Sequence, residues 1–282
     1  MSAMFANVDH PELVTSVHAE YVDAGVDVVT TNTFTLTPYA LAPFAREGEL
    51  ATLLHAAARC ASDAVASTSR SVLIAGCLPP LGECYKAECV GDANEMVLTY
   101  SAICAELAPR VDLFLAETLT SSTEVIAARK AAGPSGKPFW ASLTLKDECN
   151  AALRGGETVY AALAALKMKP PAAILFNCCA PQAVLAGVRA ARAATRSFES
   201  FEGTLLGGYA NGFQVTTSEW LSGKETAGCT AAHEYDNHGI ISPAAYREHA
   251  LSWVKAGAGL VGGCCGVGPA HLRELCATLR RL

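Results

Sequence analysis

Seven short apolar runs rich in β-branched residues punctuate the 282-residue chain: VDVVTTNT (26–33), SVLIAGC (71–77), VDLFLAET (111–118), PFWASLTL (138–145), AAILFNCC (172–179), TLLGGYAN (204–211) and GLVGGCC (259–265). Between them lie longer stretches whose apolar residues recur three and four positions apart, such as PELVTSVHAEYVDAG, ELATLLHAAARCASDAVAS, EMVLTYSAICAELAP, STEVIAARKAAG, ETVYAALAALK, QAVLAGVRAARAA and AAYREHALSWVKAG. The first pattern predicts strands and the second amphipathic helices. Their alternation predicts parallel βαβ units. Gly25, Gly133 and Gly257 each stand just before a strand, where a left-handed glycine ends the preceding helix. No linker or low-complexity segment interrupts the pattern, so a single domain spanning 1–282 is expected.

Two α/β architectures fit this alternation, a doubly wound open sheet and a (β/α)8 barrel. A doubly wound nucleotide binder carries a glycine fingerprint after its first strand, and VDVVTTNTFTLTPYA has no glycine there. The barrel is therefore expected. Barrel chemistry gathers at the C-terminal ends of the strands. That singles out Thr31 and Asn32, Glu83, Glu117, Asn177 with Cys178, Asn211, and Cys264 with Cys265.

Composition narrows the partners. The chain is 51% hydrophobic, ample for a core, and its net charge of −6 without any Lys/Arg run provides no electrostatic footprint for nucleic acid or an anionic membrane. No apolar run is long enough for a membrane helix, and MSAMFANVDHPEL lacks the basic and apolar regions of a signal peptide, so a cytoplasmic protein is expected. In a reducing compartment most of the twelve cysteines serve as small core residues.

VGGCCGVGP (261–269) departs from that rule, because it sets two thiols side by side among glycines. Neighbouring strand side chains point to opposite faces, and Gly262, Gly263 and Gly266 permit the turn that would let both thiols converge. On a barrel, Cys178 would close the sixth stave and Cys264 and Cys265 the last, all at one mouth. Three thiolates with a free fourth position suit a catalytic zinc ion, whereas a structural zinc site is closed by a fourth protein ligand, for which Cys179 is the candidate. Two other readings stay open on spacing alone: buried cysteines that merely pack, and a redox pair at Cys178-Cys179 or Cys264-Cys265, although neither pair is a CxxC motif. His18, His55, His233, His238 and His271 form no metal-ligand motif and read as surface or helix-end residues.

ILFNCCAP, VGGCCGVGPAHL, AGVDVVTTNTF, VDLFLAET and GYANG resemble segments of the homocysteine S-methyltransferase family, zinc-dependent (β/α)8 barrels, over nearly the whole chain. The resemblance implies zinc on Cys178, Cys264 and Cys265, and a methyl transfer to the zinc-bound thiolate of homocysteine that yields methionine. It assigns Glu117 to the amino group of homocysteine and places Asn32 and Asn211 near the substrate, whereas Asn177 is expected to orient its loop. Without the resemblance, Glu117 reads as a carboxylate at a helix N-terminus, and Asn32 and Asn211 as caps or turn formers. The chain ends at HLRELCATLRRL, without the long C-terminal extension of betaine-using relatives, so S-methylmethionine or S-adenosylmethionine is the expected donor.

Two departures qualify the resemblance. Ala210 stands where the family usually has proline, and the opening strand with its Asp-Gly-Gly segment has no counterpart, so the expected barrel lacks its first β-strand. Such a gap leaves strand edges that must be closed, covered or shared. The gap is expected to stay open or to be filled by the N-terminal residues Met1 to Val8 or by a neighbouring chain, with the zinc site partly disordered or empty and turnover weak. An alternative follows, a catalytically impaired zinc-binding barrel acting as an interaction protein.

Overall fold

The computed structural model describes residues 3–223 and 231–282. In chain order the elements are α1 (Ala3–Asp9), α2 (Pro11–Ala24), β1 (Val28–Thr30), α3 (Pro38–Leu41), α4 (Leu50–Ala66), β2 (Leu73–Leu78), α5 (Ala93–Leu107), β3 (Leu113–Leu119) and α6 (Ser122–Ala132). They continue as β4 (Phe139–Leu143), α7 (Val159–Leu166), β5 (Ala173–Asn177), α8 (Pro181–Thr195), β6 (Leu205–Tyr209), α9 (Thr217–Ser222), α10 (Pro243–Ala256), β7 (Leu260–Val261) and α11 (Pro269–Leu279). All seven expected strands form. They are parallel and follow one another in the sheet in chain order, β1 to β7, the order that successive βαβ units produce. Among the described residues no helix is long and apolar enough to cross a membrane.

The chain forms two compact units. The first comprises residues 1–84, 88–117 and 123–140. In it Val28, Val29 and Thr30 pair with Leu73, Ile74 and Ala75, and Ala75 to Leu78 pair with Leu113 to Ala116. Leu53, Leu54, Ala57, Ala61 and Ala64 of α4 recur at helical spacing and are fully buried, which makes α4 amphipathic and packs it inward. Arg70 donates to the carbonyls of Val22, Gly25 and Val26, a cation closing the C-terminal end of α2.

The second unit comprises residues 85–87, 118–122 and 141–282. Ala173 to Asn177 pair with Leu205 to Tyr209, and Gly207 and Gly208 pair with Leu260 and Val261. Gly207 is required there: a Cβ on it would stand 1.9 Å from the carbonyl oxygen of Leu260. From α10, the buried Tyr246 hydroxyl accepts the N–H of Ala210 at 3.0 Å and donates to the carbonyl of Gly262 at 2.7 Å. One phenol thus ties the ends of β6 and β7 together. Trp253 anchors the same helix through its indole N–H to the carbonyl of Pro181.

Two expectations are corrected. Residues 3–9 form a helix rather than a strand, held in the first unit by Asn7, whose amide donates to the carbonyl of Asn32. They therefore supply no barrel stave, because a helix satisfies its own backbone groups and leaves none for an edge. Gly25 and Gly257 end α2 and α10 with left-handed φ values of 105° and 112°, but Gly133 does not end α6. Pro134 extends the chain into a 3₁₀ turn, Gly133–Ser135, and the left-handed residue is Gly136. His271 stands in the first turn of α11, a helix-end position as expected, and is buried there, donating from Nε2 to the carbonyl of Ile241 and accepting the N–H of Gly268 at Nδ1.

Candidate metal centre

Cys178, Cys264 and Cys265 converge in the second unit, with all three sulfurs within 4.8 Å of one another. The Sγ–Sγ distances are 2.8 Å between Cys178 and Cys264 and 3.9 Å for the other two pairs. Cys178 is buried, Cys264 half-buried and Cys265 exposed, so the cluster opens to solvent on one side.

Two backbone devices create the convergence. β5 ends at Asn177, and Cys178 then adopts a left-handed φ of 53°, uncommon for a residue with a Cβ, which breaks the strand alternation. Cys179 is consequently buried away from the cluster, which excludes the closed four-thiol arrangement among the described residues. At β7 the carbonyl of Cys264 accepts the N–H of Val267 at 3.0 Å, with Gly266 at φ 78° between them. A positive φ at the third position of a four-residue turn is the type II requirement, and it swings the two adjacent thiols to one side. The N–H of Cys264 donates to the carbonyl of Ala210, and the carbonyl of Cys265 accepts the N–H of Gly212, so both cysteines are registered against the residues flanking Asn211.

Electrostatics make the trio a demanding anion site. Hydrogen bonds from Cys178 and Cys264 pull the Cys265 thiol down to about 3. Cys178 is pushed up to about 12: its bond with Cys264 lowers it, but Cys265 and burial outweigh that effect. Cys264 is raised well above the ordinary thiol range by its contacts with Cys178 and then Cys265, and by burial. One negative charge is shared, and three thiolates need a cation. A tetrahedral zinc ion with Zn–S bonds of about 2.3 Å separates its sulfurs by about 3.8 Å. Two of the three edges already match, and the Cys178–Cys264 edge would open by about 1 Å. Soft donors, number and spacing together suit a thiophilic dication such as zinc.

The surroundings include residues that sequence reasoning missed. The Tyr85 hydroxyl hydrogen-bonds Cys178, its own ionisation suppressed by burial and then by the neighbouring thiols. Arg154 lies over the Tyr85 ring, 5.5 Å from its centroid. Nothing in the local pattern of GECYKAE marks Tyr85. Asn177 cross-braces the floor: its Oδ1 accepts the N–H of Thr118 and the hydroxyl of Ser142, and its Nδ2 donates to Thr118 Oγ1 and lies 3.9 Å from Cys264 Sγ. It thus has the orienting position expected of it.

The predicted substrate contacts fall as follows. Asn211 is buried, and its Nδ2 donates to Thr217 Oγ1, whose own proton goes to the carbonyl of Cys178. That chain fixes the amide orientation and leaves Asn211 Oδ1 buried with no hydrogen-bond partner among the described residues. Glu117 lies on β3 in the first unit, half-buried, and hydrogen-bonds the buried thiol of Cys77. Asn32, also in the first unit, donates to the carbonyl of Ala3 and to Asn7 Oδ1, so its amide is engaged in holding α1.

The chain is similar in structure to the homocysteine methyltransferase MmuM from Escherichia coli. In its metallated form the TM-score is 0.77 at 23% sequence identity, covering 98% of this chain and 88% of that one. The oxidized form gives 0.78 at 22% identity, covering 98% and 87%, and the apo form 0.72 at 21%, covering 98% and 89%. The family model for homocysteine S-methyltransferase matches residues 1–279, and the chain belongs to that family.

Proposed function

We propose that this protein is a homocysteine S-methyltransferase that takes its methyl group from a sulfonium donor, with zinc held by Cys178, Cys264 and Cys265 and the seven strands serving as staves two to eight of a (β/α)8 barrel. The observation that carries the reading is the convergence of three thiols, one of them exposed, at the ends of β5 and β7. Zinc, when bound, supplies a Lewis acid that deprotonates a thiol at its open position, while three protein thiolates leave that thiol rich in electron density.

The chain's own residues bind and orient. Asn211 Oδ1, an acceptor with no partner among the described residues, takes a donor N–H from the substrate, and its burial makes that bond costly to leave unmade. Glu117 holds the homocysteine ammonium, a charge-assisted contact. Asn32 contributes at the edge of the substrate region while it holds α1. Tyr85 donates to the Cys178 sulfur and limits its negative charge. In the transfer, the homocysteine sulfur forms a bond to the methyl carbon as the carbon–sulfonium bond breaks. The electron pair goes to the departing sulfur, which leaves as a neutral thioether. A cationic donor suits this site, because the donor's charge is neutralised together with that of the thiolate.

Turnover of homocysteine with S-methylmethionine and, separately, with S-adenosylmethionine tests the reading. Methionine formation with a sulfonium donor, abolished by a chelator and restored by zinc, is the expected result. Zinc-loaded protein that forms none with either donor would reject it.

A further inference from the structure

Cys178 holds a left-handed conformation that side chains with a Cβ disfavour, and its carbonyl is fixed by two hydroxyls, Thr144 Oγ1 at 3.3 Å and Thr217 Oγ1 at 3.2 Å. Thr144 in turn accepts from Arg154 Nε at 3.3 Å. Arg154 is paired at 2.8 Å with Asp147 Oδ2, and both side chains are almost wholly buried, 6% and 1% exposed. The same carboxylate accepts the N–H of Ala180 at Oδ1, 2.7 Å, and the N–H of Ser218 at Oδ2, 2.8 Å. A single acid therefore joins the segments that follow β4, β5 and β6, and one of its contacts, the N–H of Ala180, immediately follows the Cys178-Cys179 pair.

A buried ion pair adds little stability over an apolar pair of equal size, and its best-attested use is to enforce one geometry among several. We propose that Asp147 and Arg154, acting through Thr144, are positioning residues that lock Cys178 in its left-handed conformation and so preset the spacing of the metal-binding thiols. The proposal rests on the zinc reading above. In its terms, rotation of Cys178 out of this conformation would carry its sulfur away from Cys264, whose place is set independently by the Val267 turn.

Thr144→Val removes the hydroxyl and keeps the shape, and Thr144→Ser restores the hydroxyl. Zinc affinity is measured by chelator competition, the Co²⁺–thiolate absorption band is recorded on the same proteins, and the melting temperature is taken on the metal-free forms. Thr144→Val is expected to weaken zinc roughly 10- to 100-fold and to alter the Co²⁺ band, whereas Thr144→Ser stays within about threefold of the unsubstituted protein, the effect typical of groups that orient metal ligands. Asp147→Asn is expected to lose affinity in the same direction, and if it fails to fold the Thr144 pair decides. Folded Thr144→Val protein with unchanged zinc affinity and an unchanged Co²⁺ band would overturn the clamp while leaving the three-thiol site standing, as would equal losses in the Val and Ser variants. An unsubstituted protein that binds neither metal would overturn the zinc reading and the clamp with it.

Discussion

The sulfurs of Cys178 and Cys264 lie 2.8 Å apart although 86 residues separate them in the chain. Three thiols brought that close share one charge until a cation joins them, and the loss of any one leaves two donors for a metal that takes four. Alanine at Cys178, Cys264 or Cys265 is expected to lower bound zinc to below about a tenth of an equivalent. Elemental analysis after dialysis measures it, and full stoichiometry in Cys264→Ala would remove Cys264 from the ligand set.

Glu117 makes a different prediction, because it lies outside the thiol cluster. Glu117→Ala is expected to retain zinc and to bind homocysteine more weakly by roughly 1.5–3 kcal/mol, the worth of a hydrogen bond to a charged group. Isothermal titration with homocysteine measures it. Unchanged affinity would return Glu117 to the role of partner for Cys77.

Tyr246 bears on the scaffold. Removing its hydroxyl in Tyr246→Phe leaves the N–H of Ala210 buried without its acceptor and the carbonyl of Gly262 without this donor. A cost of about 1–3 kcal/mol in unfolding free energy is expected, measured by urea denaturation. An unchanged midpoint would mean that the ends of β6 and β7 are held by other contacts.

His18 predicts an acid-sensitive step. Its Nε2 is buried with no partner among the described residues, and burial lowers its pKa below 6.5. The unfolded chain therefore takes up a proton at a higher pH than the folded one, so stability is unaffected above the unfolded pKa and falls as pH drops through about 6.5 toward the folded value. His18→Gln should flatten that slope. Parallel slopes in melting temperature between pH 7 and pH 5 would show that His18 does not cause it.

Local patterning was enough for the strands and most helices, because the periods of two and 3.6 are set by the backbone within a few residues. The Cys264-Cys265 turn was legible for the same reason: adjacent thiols with Gly266 two positions beyond Cys264 carry their own turn chemistry. Cys178 was matched to them only through the barrel reading, which brings strand ends to one mouth, and the resemblance then named the metal, since no local rule reaches across 86 residues. Local reading failed where a later residue or a distant contact decided the outcome, as when Pro134 drew Gly133 into a 3₁₀ turn after α6, or Asn32 and Asn7 held 3–9 as a helix. Tyr85, Asp147, Arg154 and Tyr246 had no local signal at all. Their roles arise from strand register and from a left-handed Cys178, which bring the segments after β4, β5 and β6 to one carboxylate. Sequence by itself thus determined which elements form and which residue types could hold a metal. Only the tertiary structure decided which of them meet, because meeting depends on the summed geometry of every intervening strand and turn.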